Sequence, residues 1–191
     1  MKNTIVVNLF GGQGTGKSTT MAGVFHYLKN HGVDCEMTPE FAKELVWEGR
    51  KDTFQDELYM FAKQNHRLQR VNGKVDVVVT DHPLLMGVVY NDHYRPIRDV
   101  DWNNAFSDLV WFTYQQYNNV NFMLDRVKLY NPNGRNESEL EARKFDLRFK
   151  ACLESFACPY EQILADANAA ERIGEKILDL LAAQSRAEGG Q

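Results

Sequence analysis

The chain has 191 residues, 43% of them apolar, and a formal net charge of −4. That is enough apolar material for one domain around a continuous core, and too acidic a balance for broad electrostatic binding to duplex nucleic acid. The three cysteines, Cys35, Cys152 and Cys158, lack metal-ligand spacing with histidine and read as reduced thiols in a reducing compartment.

Thr4–Phe10 (TIVVNLF) is rich in β-branched residues and stops at glycines, which predicts a strand. It is too short to span a bilayer, and no small-residue cleavage site follows it, so a cytoplasmic protein without a membrane partner is expected. From Gly16 to about Asn30 the pattern turns helical, with Met21, Val24, Phe25 and Leu28 on one face and His31-Gly32 as the stop. Asp34–Met37 is a short strand broken by Thr38-Pro39, and a helix from about Phe41 to Trp47 follows. Asp52 or Thr53 caps a long helix reaching about Arg70. Its apolar stripe is Phe54, Leu58, Phe61 and Leu68, which leaves Gln64 and Arg67 on another face. Val75–Thr80 is a third strand, and its near-continuous valines imply cover on both faces. His82–Tyr117 is helical in places and dense in aromatics. Val120–Leu124 is a fourth strand. Asn136 with Glu139 forms a capping pair ahead of a helix whose stripe is Phe145, Phe149, Cys152 and Phe156. Glu161–Ala165 is a fifth strand. A last helix from near Asn168 buries Ile173, Ile177, Leu180 and Leu181, and Ser185–Gln191 is a frayed tail. Strands alternating with helices specify an α/β fold: a parallel sheet between two helical layers, joined by right-handed crossovers, in one domain over residues 1–191.

Gly11-Gly12-Gln13-Gly14-Thr15-Gly16-Lys17-Ser18 matches G-x-x-x-x-G-K-[ST], a pattern that chance supplies in a chain of this length on the order of one per cent of the time. Its glycines let the backbone curl so that N–H groups at Gly12, Gln13, Gly14, Thr15, Gly16, Lys17, Ser18 and Thr19 can face phosphate oxygens. The helix that starts there adds its positive end. Lys17 reaches the β- and γ-phosphates, and the Ser18 hydroxyl suits Mg²⁺, a hard cation that prefers oxygen. The expected ligands are therefore ATP and Mg²⁺.

Two carboxylates emerge at the sheet edge where open α/β folds hold ligands. Asp81 follows the third strand and can hold Mg²⁺, take the proton of an attacking hydroxyl, or cap a helix. Glu40 follows the second strand as the other candidate base, its plainer reading being a solvated first-turn glutamate. His82 and His93 have no evident partner and read as structural or surface residues. Residues 125–145 form a basic lid in which Arg126, Lys128, Arg135, Arg143 and Arg148 supply charge; interleaved glutamates give an ordinary solvated helix as the plainer reading. Arg135 and Arg143 are the candidate stabilisers of phosphoryl transfer. Gln64 and Arg67 suit a nucleobase edge and a phosphate, or else a solvated helix face.

The glycine loop, Thr38-Pro39-Glu40-Phe41-Ala42-Lys43, Thr80-Asp81 and the Asn131-Pro132-Asn133-Gly134-Arg135 lid together resemble P-loop kinases. The likeness is to a phage-encoded group related to nucleoside, nucleotide and ribosylnicotinamide kinases, and it covers Thr4 to about Asp166. It implies a P-loop NTPase fold with sheet order 2-3-1-4-5, an acidic base at Glu40 or Asp81, and a lid arginine at Arg135 or Arg143. The place would be the host cytoplasm if the chain is phage-encoded. Nucleoside kinases commonly carry Arg after the strand-three acid, whereas this chain has Asp81-His82-Pro83. Some phage kinases of this type phosphorylate 5-hydroxymethyluracil within DNA, and the aromatic segment suits a stacked base; core or a homodimer contact is its commoner use. The expected activity is transfer of the γ-phosphate to a hydroxyl of a nucleic-acid-type acceptor: that modified base, a free nucleoside or a nucleoside monophosphate. A P-loop switch without an acceptor is the alternative, and no Asn-Lys-x-Asp base-reading motif is present to support it.

Overall fold

Every side chain of Ile5–Phe10 is buried, as a strand demands when it runs down the middle of a sheet covered on both faces. The computed structural model describes residues 2–94, 100–127, 129–131 and 138–189. Among them, β1 (Ile5–Phe10), β2 (Cys35–Thr38), β3 (Val77–Thr80), β4 (Asn118–Asp125) and β5 (Glu161–Leu164) form one sheet in the order β2-β3-β1-β4-β5. All its neighbours are parallel, with Ile5 opposite both Val77 and Asn118. This is the order that the likeness to P-loop kinases implied.

The period-two alternation of β1 divides the core. Ile5, Val7 and Leu9 join α1 (Lys17–Asn30) and α7 (Ala169–Gly189) on one face, with Val24, Leu28, Ile173 and Ile177 fully buried between them. Val6 and Phe10 point the other way, into a cluster with Phe61, Leu85, Met86, Phe106, Phe145 and Phe149. That cluster is supplied by α3 (Glu57–Gln69), α4 (Met86–Tyr94), α5 (Val100–Tyr114) and α6 (Glu139–Ser155). A short helix, α2 (Ala42–Trp47), and the 3₁₀ turn Lys51–Gln55 stand apart from both layers, held by a small cluster of Phe41, Leu45, Phe54 and Met60. They make one wall of the cleft described below.

Several expected details are corrected. The cap of α3 is Asp56, whose Oδ1 accepts from the Tyr59 amide at 3.2 Å; Asp52 and Thr53 lie in the 3₁₀ turn ahead of it. The buried stripe of α3 is Glu57, Met60, Phe61, Gln64 and Leu68, while Leu58 is exposed. A polar residue whose bonds are satisfied inside belongs to the stripe as much as an apolar one. The cap of α6 is a capping box of Ser138 and Glu141; Asn136 lies outside the described residues. The last helix continues to Gly189 rather than fraying at Ser185, and Leu180 on it is exposed. Of the aromatics between 82 and 117, Tyr90, Phe106, Tyr114 and Tyr117 are core, and Phe112 is exposed. No described helix is long and apolar enough to cross a membrane.

Candidate functional site

The carboxyl ends of β1, β2 and β3 deliver three loops to one edge of the sheet. The loop after β1 curls back on itself before α1 begins. Gly14 and Gly16 take φ values of 83° and 101°, a backbone state closed to most side chains, and Gly16 is the residue that opens the helix. Among the described residues the Thr15 amide donates to the Gly12 carbonyl, whereas the amides of Gly14 and Gly16 find no acceptor within the chain. With the helix end behind them, these donors make a cradle for an anion. Lys17, only 9% exposed, lies back along the loop with Nζ donating to the Gly11 carbonyl at 2.6 Å and the Gly12 carbonyl at 3.2 Å.

The second loop and the third meet beside that cradle. Ser18 Oγ donates to Asp81 Oδ2 at 2.6 Å, and Asp81 Oδ1 accepts the Glu40 amide at 2.9 Å. Asp81 is buried with both oxygens engaged, one on the phosphate loop and one on the chain that follows β2. It caps no helix, since α4 starts only at Met86. A hydroxyl and a carboxylate held together at the first turn of α1 are the hard-oxygen donor set that Mg²⁺ takes, so the residues present fit that ion.

Glu40 turns its side chain into the cleft, where Oε1 approaches His82 Nδ1 at 3.5 Å. Burial pushes the Glu40 carboxyl up, but His82 and the cations Lys17 and Lys43 outweigh it and hold the group below its ordinary range. Glu40 is therefore ionised at neutral pH. The cleft, about 400 Å³, continues past it between α2, the 3₁₀ turn, α3 and α4. Trp47, Phe54, Met60, Tyr90 and Tyr94 line this far part, together with Glu57. His82, Tyr90 and Tyr94 form a stacked run of rings with centroids 5.7 and 6.1 Å apart. Glu57 is 5% exposed, and burial, then Glu40 and Asp56, push its carboxyl up to about 8.

On the opposite side, α6 presses against the phosphate loop. Asp146 Oδ1 accepts the Gly12 amide at 2.6 Å, and its Oδ2 accepts from Arg126 Nε and Nη2 at 3.0 and 2.9 Å. Arg126 also donates to the Gln13 carbonyl at 3.0 Å. A Cβ on Gly12 would stand 2.2 Å from the Ala142 carbonyl oxygen, so only glycine admits α6 so close.

A loop of this shape, with its lysine, its serine and a strand-end aspartate bonded to that serine, is the nucleotide-binding core of a P-loop fold. The model of the AAA domain matches residues 6–172. The chain belongs to the AAA domain family. Among solved structures, NadR protein in complex with NR is similar with a TM-score of 0.70 at 16% identity, over 91% of this chain and 51% of that one. The chain thus spans about half the length of that relative. Thymidylate kinase from Ehrlichia chaffeensis is similar with a TM-score of 0.60 at 14% identity, over 94% of this chain and 99% of that one. No curated protein matches the chain. At such identities the likeness establishes the fold alone, that of a P-loop NTPase.

In this AAA-domain chain, Gln13, Gly14, Gly16, Lys17, Ser18, Thr19 and Glu40 line one cleft, and Asp81 stands behind them. Gly12 and Thr15 belong to the loop's own architecture, since Gly12 donates to Asp146 and Thr15 closes on Gly12. Gln64 and Arg67 do not reach the cleft. Gln64 is 1% exposed and ties the Phe41 amide to the Thr38 carbonyl and the Thr80 hydroxyl. Arg67 donates to the Pro39 carbonyl and pairs with Glu44. Both therefore fix the loop that carries Glu40. Arg143 pairs with Glu139 one turn away on a solvated helix face, and Arg148 with Asp92. Arg135 lies outside the described residues, as do Lys128 and the Pro132–Gly134 stretch. His82, expected to be structural, faces the cleft beside Glu40. Sequence reasoning did not single out Asp146, Glu57 or Trp47. For Trp47 the signal was available: an aromatic at the end of a short helix just after a strand-end acid.

Proposed function

We propose that the chain is an ATP-dependent kinase that moves the γ-phosphate to a hydroxyl of a nucleic-acid-type acceptor. The observation that carries this reading is the Glu40 carboxyl, beside His82 in the same cleft as the cradle, at the start of a further chamber with an aromatic and apolar lining. A switch that only hydrolyses its nucleotide has no use for such a chamber.

In this reading the amides of the loop after β1 hold the triphosphate, and Lys17 leaves its loop carbonyls for the β- and γ-phosphates. Ser18 and Asp81 would hold Mg²⁺, which when bound neutralises charge on the phosphates. Asp81, with both oxygens occupied, serves the loop and the ion rather than the proton. Glu40 orients the acceptor hydroxyl and takes its proton as the new O–P bond forms and the bond to the β–γ bridging oxygen breaks, leaving ADP. His82 stands behind Glu40 and stabilises its charge. Arg135 remains the proposed lid arginine on the strength of its place in the loop.

Labelled ATP and Mg²⁺, offered with nucleosides, nucleoside monophosphates, and DNA with or without 5-hydroxymethyluracil, test the reading. Label in an acceptor supports it, and label in the modified DNA alone assigns that base. Release as free phosphate only, at a rate no acceptor alters, overturns it in favour of the NTPase switch.

A further inference from the structure

A carboxyl taken out of water without partners is costly, and where one persists its position is informative. Glu57 is such a group. It opens α3 and is 5% exposed, yet it lines the far chamber of the cleft. Among the described residues it has no hydrogen-bond partner and no ion pair. Oε1 lies beside the backbone of α4, where a Cβ added to Gly87 would be 3.9 Å from it and 4.0 Å from the Phe106 ring edge. The chain therefore places an acid in a chamber that it shares with the side chains of Met60, Phe54 and Tyr90, and no cation pairs with it there among the described residues.

The titratable groups beside it or lining the same cleft come from several elements. Asp56 stands on its own helix, and Glu40 and Lys43 come from the segment after β2. Lys17 belongs to α1, His82 follows β3, and Tyr90 and Tyr94 belong to α4. Of these, Glu40 and Asp56 act on Glu57, and both reinforce burial in favouring its uncharged form. An uncharged carboxylic acid is a hydrogen-bond donor, which an ionised one is not.

We propose that Glu57 is a specificity residue for the phosphate acceptor: its carboxylic acid donates a hydrogen bond to a ring oxygen or nitrogen of a small, flat-ringed alcohol without negative charge. The ring lies in the chamber between Trp47, Phe54 and the tyrosines of α4, and the hydroxyl is delivered to Glu40. A nucleoside meets these terms. A nucleoside monophosphate brings a second anion next to Glu40 and Glu57 in a confined, poorly solvated space, and a strand of DNA brings several. This rests on the kinase reading of the cleft and sharpens it to a substrate class.

The test is equilibrium binding by calorimetry to the full chain loaded with Mg²⁺ and a non-hydrolysable ATP analogue. Its probes are a panel of nucleosides, their 5′-monophosphates and an oligonucleotide containing 5-hydroxymethyluracil. At pH 7 a nucleoside of the panel is expected to bind at least tenfold more tightly than its monophosphate or the oligonucleotide. Its affinity should fall about tenfold by pH 9, where most of Glu57 has lost the donated proton. Glu57→Gln, which keeps a donor of the same shape at every pH, should bind at pH 7 within about threefold of the wild type and lose that dependence. Glu57→Leu should lose about tenfold at pH 7 while leaving ATP affinity unchanged. Tighter binding of the monophosphate or the DNA, or a pH dependence that persists in Glu57→Gln, overturns the proposal. Nucleoside binding that follows this pattern without phosphate transfer upholds the subsite and defeats the kinase reading instead.

Discussion

The two halves of the cleft are built in different ways. The cradle is one continuous segment, residues 11 to 19, and its working groups are backbone amides aimed by two glycines in the left-handed region. The far wall, where we propose that the acceptor binds, is assembled from residues far apart in the chain, Glu40, Trp47, Glu57, His82 and Tyr90, and what it offers is side chains. A site made of backbone tolerates few alternatives, so its sequence is a fixed pattern. A site made of side chains can be built many ways, and its chemistry depends on burial that arises only once α2, α3 and α4 pack together.

The largest effect belongs to the first half. Lys17→Ala removes a buried cation whose Nζ lies against the Gly11 and Gly12 carbonyls of the phosphate loop, and kcat should fall by at least ~10³ with a matching loss of ATP affinity. Turnover within tenfold of the wild type would remove the cradle from the chemistry.

Next come the two carboxylates, whose geometry separates them. Glu40→Gln keeps the backbone amide that Asp81 accepts but loses the proton acceptor, so kcat should fall ~10²–10⁴ with little change in the KM for ATP. Asp81→Asn disturbs the bond from Ser18, so rate and ATP affinity should fall together and the Mg²⁺ requirement should rise. Steady-state kinetics across a Mg²⁺ titration distinguish these outcomes. If Asp81→Asn spared ATP affinity and the Mg²⁺ requirement while Glu40→Gln lowered the affinity and raised the requirement, the roles would be exchanged.

The legibility of the chain follows the same division. Strand-rich segments with β-branched residues, and the glycine loop, were readable because each is decided by its nearest neighbours. The order of the strands came only through the likeness to a family, since no local pattern carries it. In the sequence Gln64 suits either a ligand or a solvated helix face, because an amide on a helix looks available, whereas its neighbours Thr38, Phe41 and Thr80 are brought to it from two strands and a loop. Arg126 looked like one of several lid cations until α6 set Asp146 against it. Glu57 is legible to no periodicity at all, because an acid in a first helical turn is the ordinary choice there.

Glu57 also marks the far wall of the cleft in stability. Its carboxyl rises from 4.5 to about 8 on folding, so the folded chain holds that proton more tightly than the unfolded chain. The favourable contribution is complete below about pH 4.5 and is lost as pH rises through about 8. At 1.36 kcal/mol per pH unit the whole span sets an upper scale of ~5 kcal/mol. Urea denaturation at pH 5.5, 7 and 8.5 should show the wild type losing stability across the series and Glu57→Gln losing much less. Parallel curves would mean that Glu57 is solvated and ionised, and the chamber would lose its neutral donor.

The smallest expected effect contrasts two arginines paired with carboxylates of α6. Arg126 is 7% exposed and bonded to both Asp146 and the phosphate loop, so Arg126→Ala strands a carboxylate against the Gly12 amide and should cost ~3 kcal/mol. Among the described residues Arg143 holds only Glu139, with both side chains about half exposed. Arg143→Ala should change stability by less than ~0.5 kcal/mol and turnover by less than about twofold. A tenfold fall in kcat without a change in the melting temperature would mean that Arg143 leaves Glu139 during the reaction for the transferring phosphoryl group. The solvated helix face would then be the resting position of a catalytic arginine, and α6 would be working on both sides of the nucleotide.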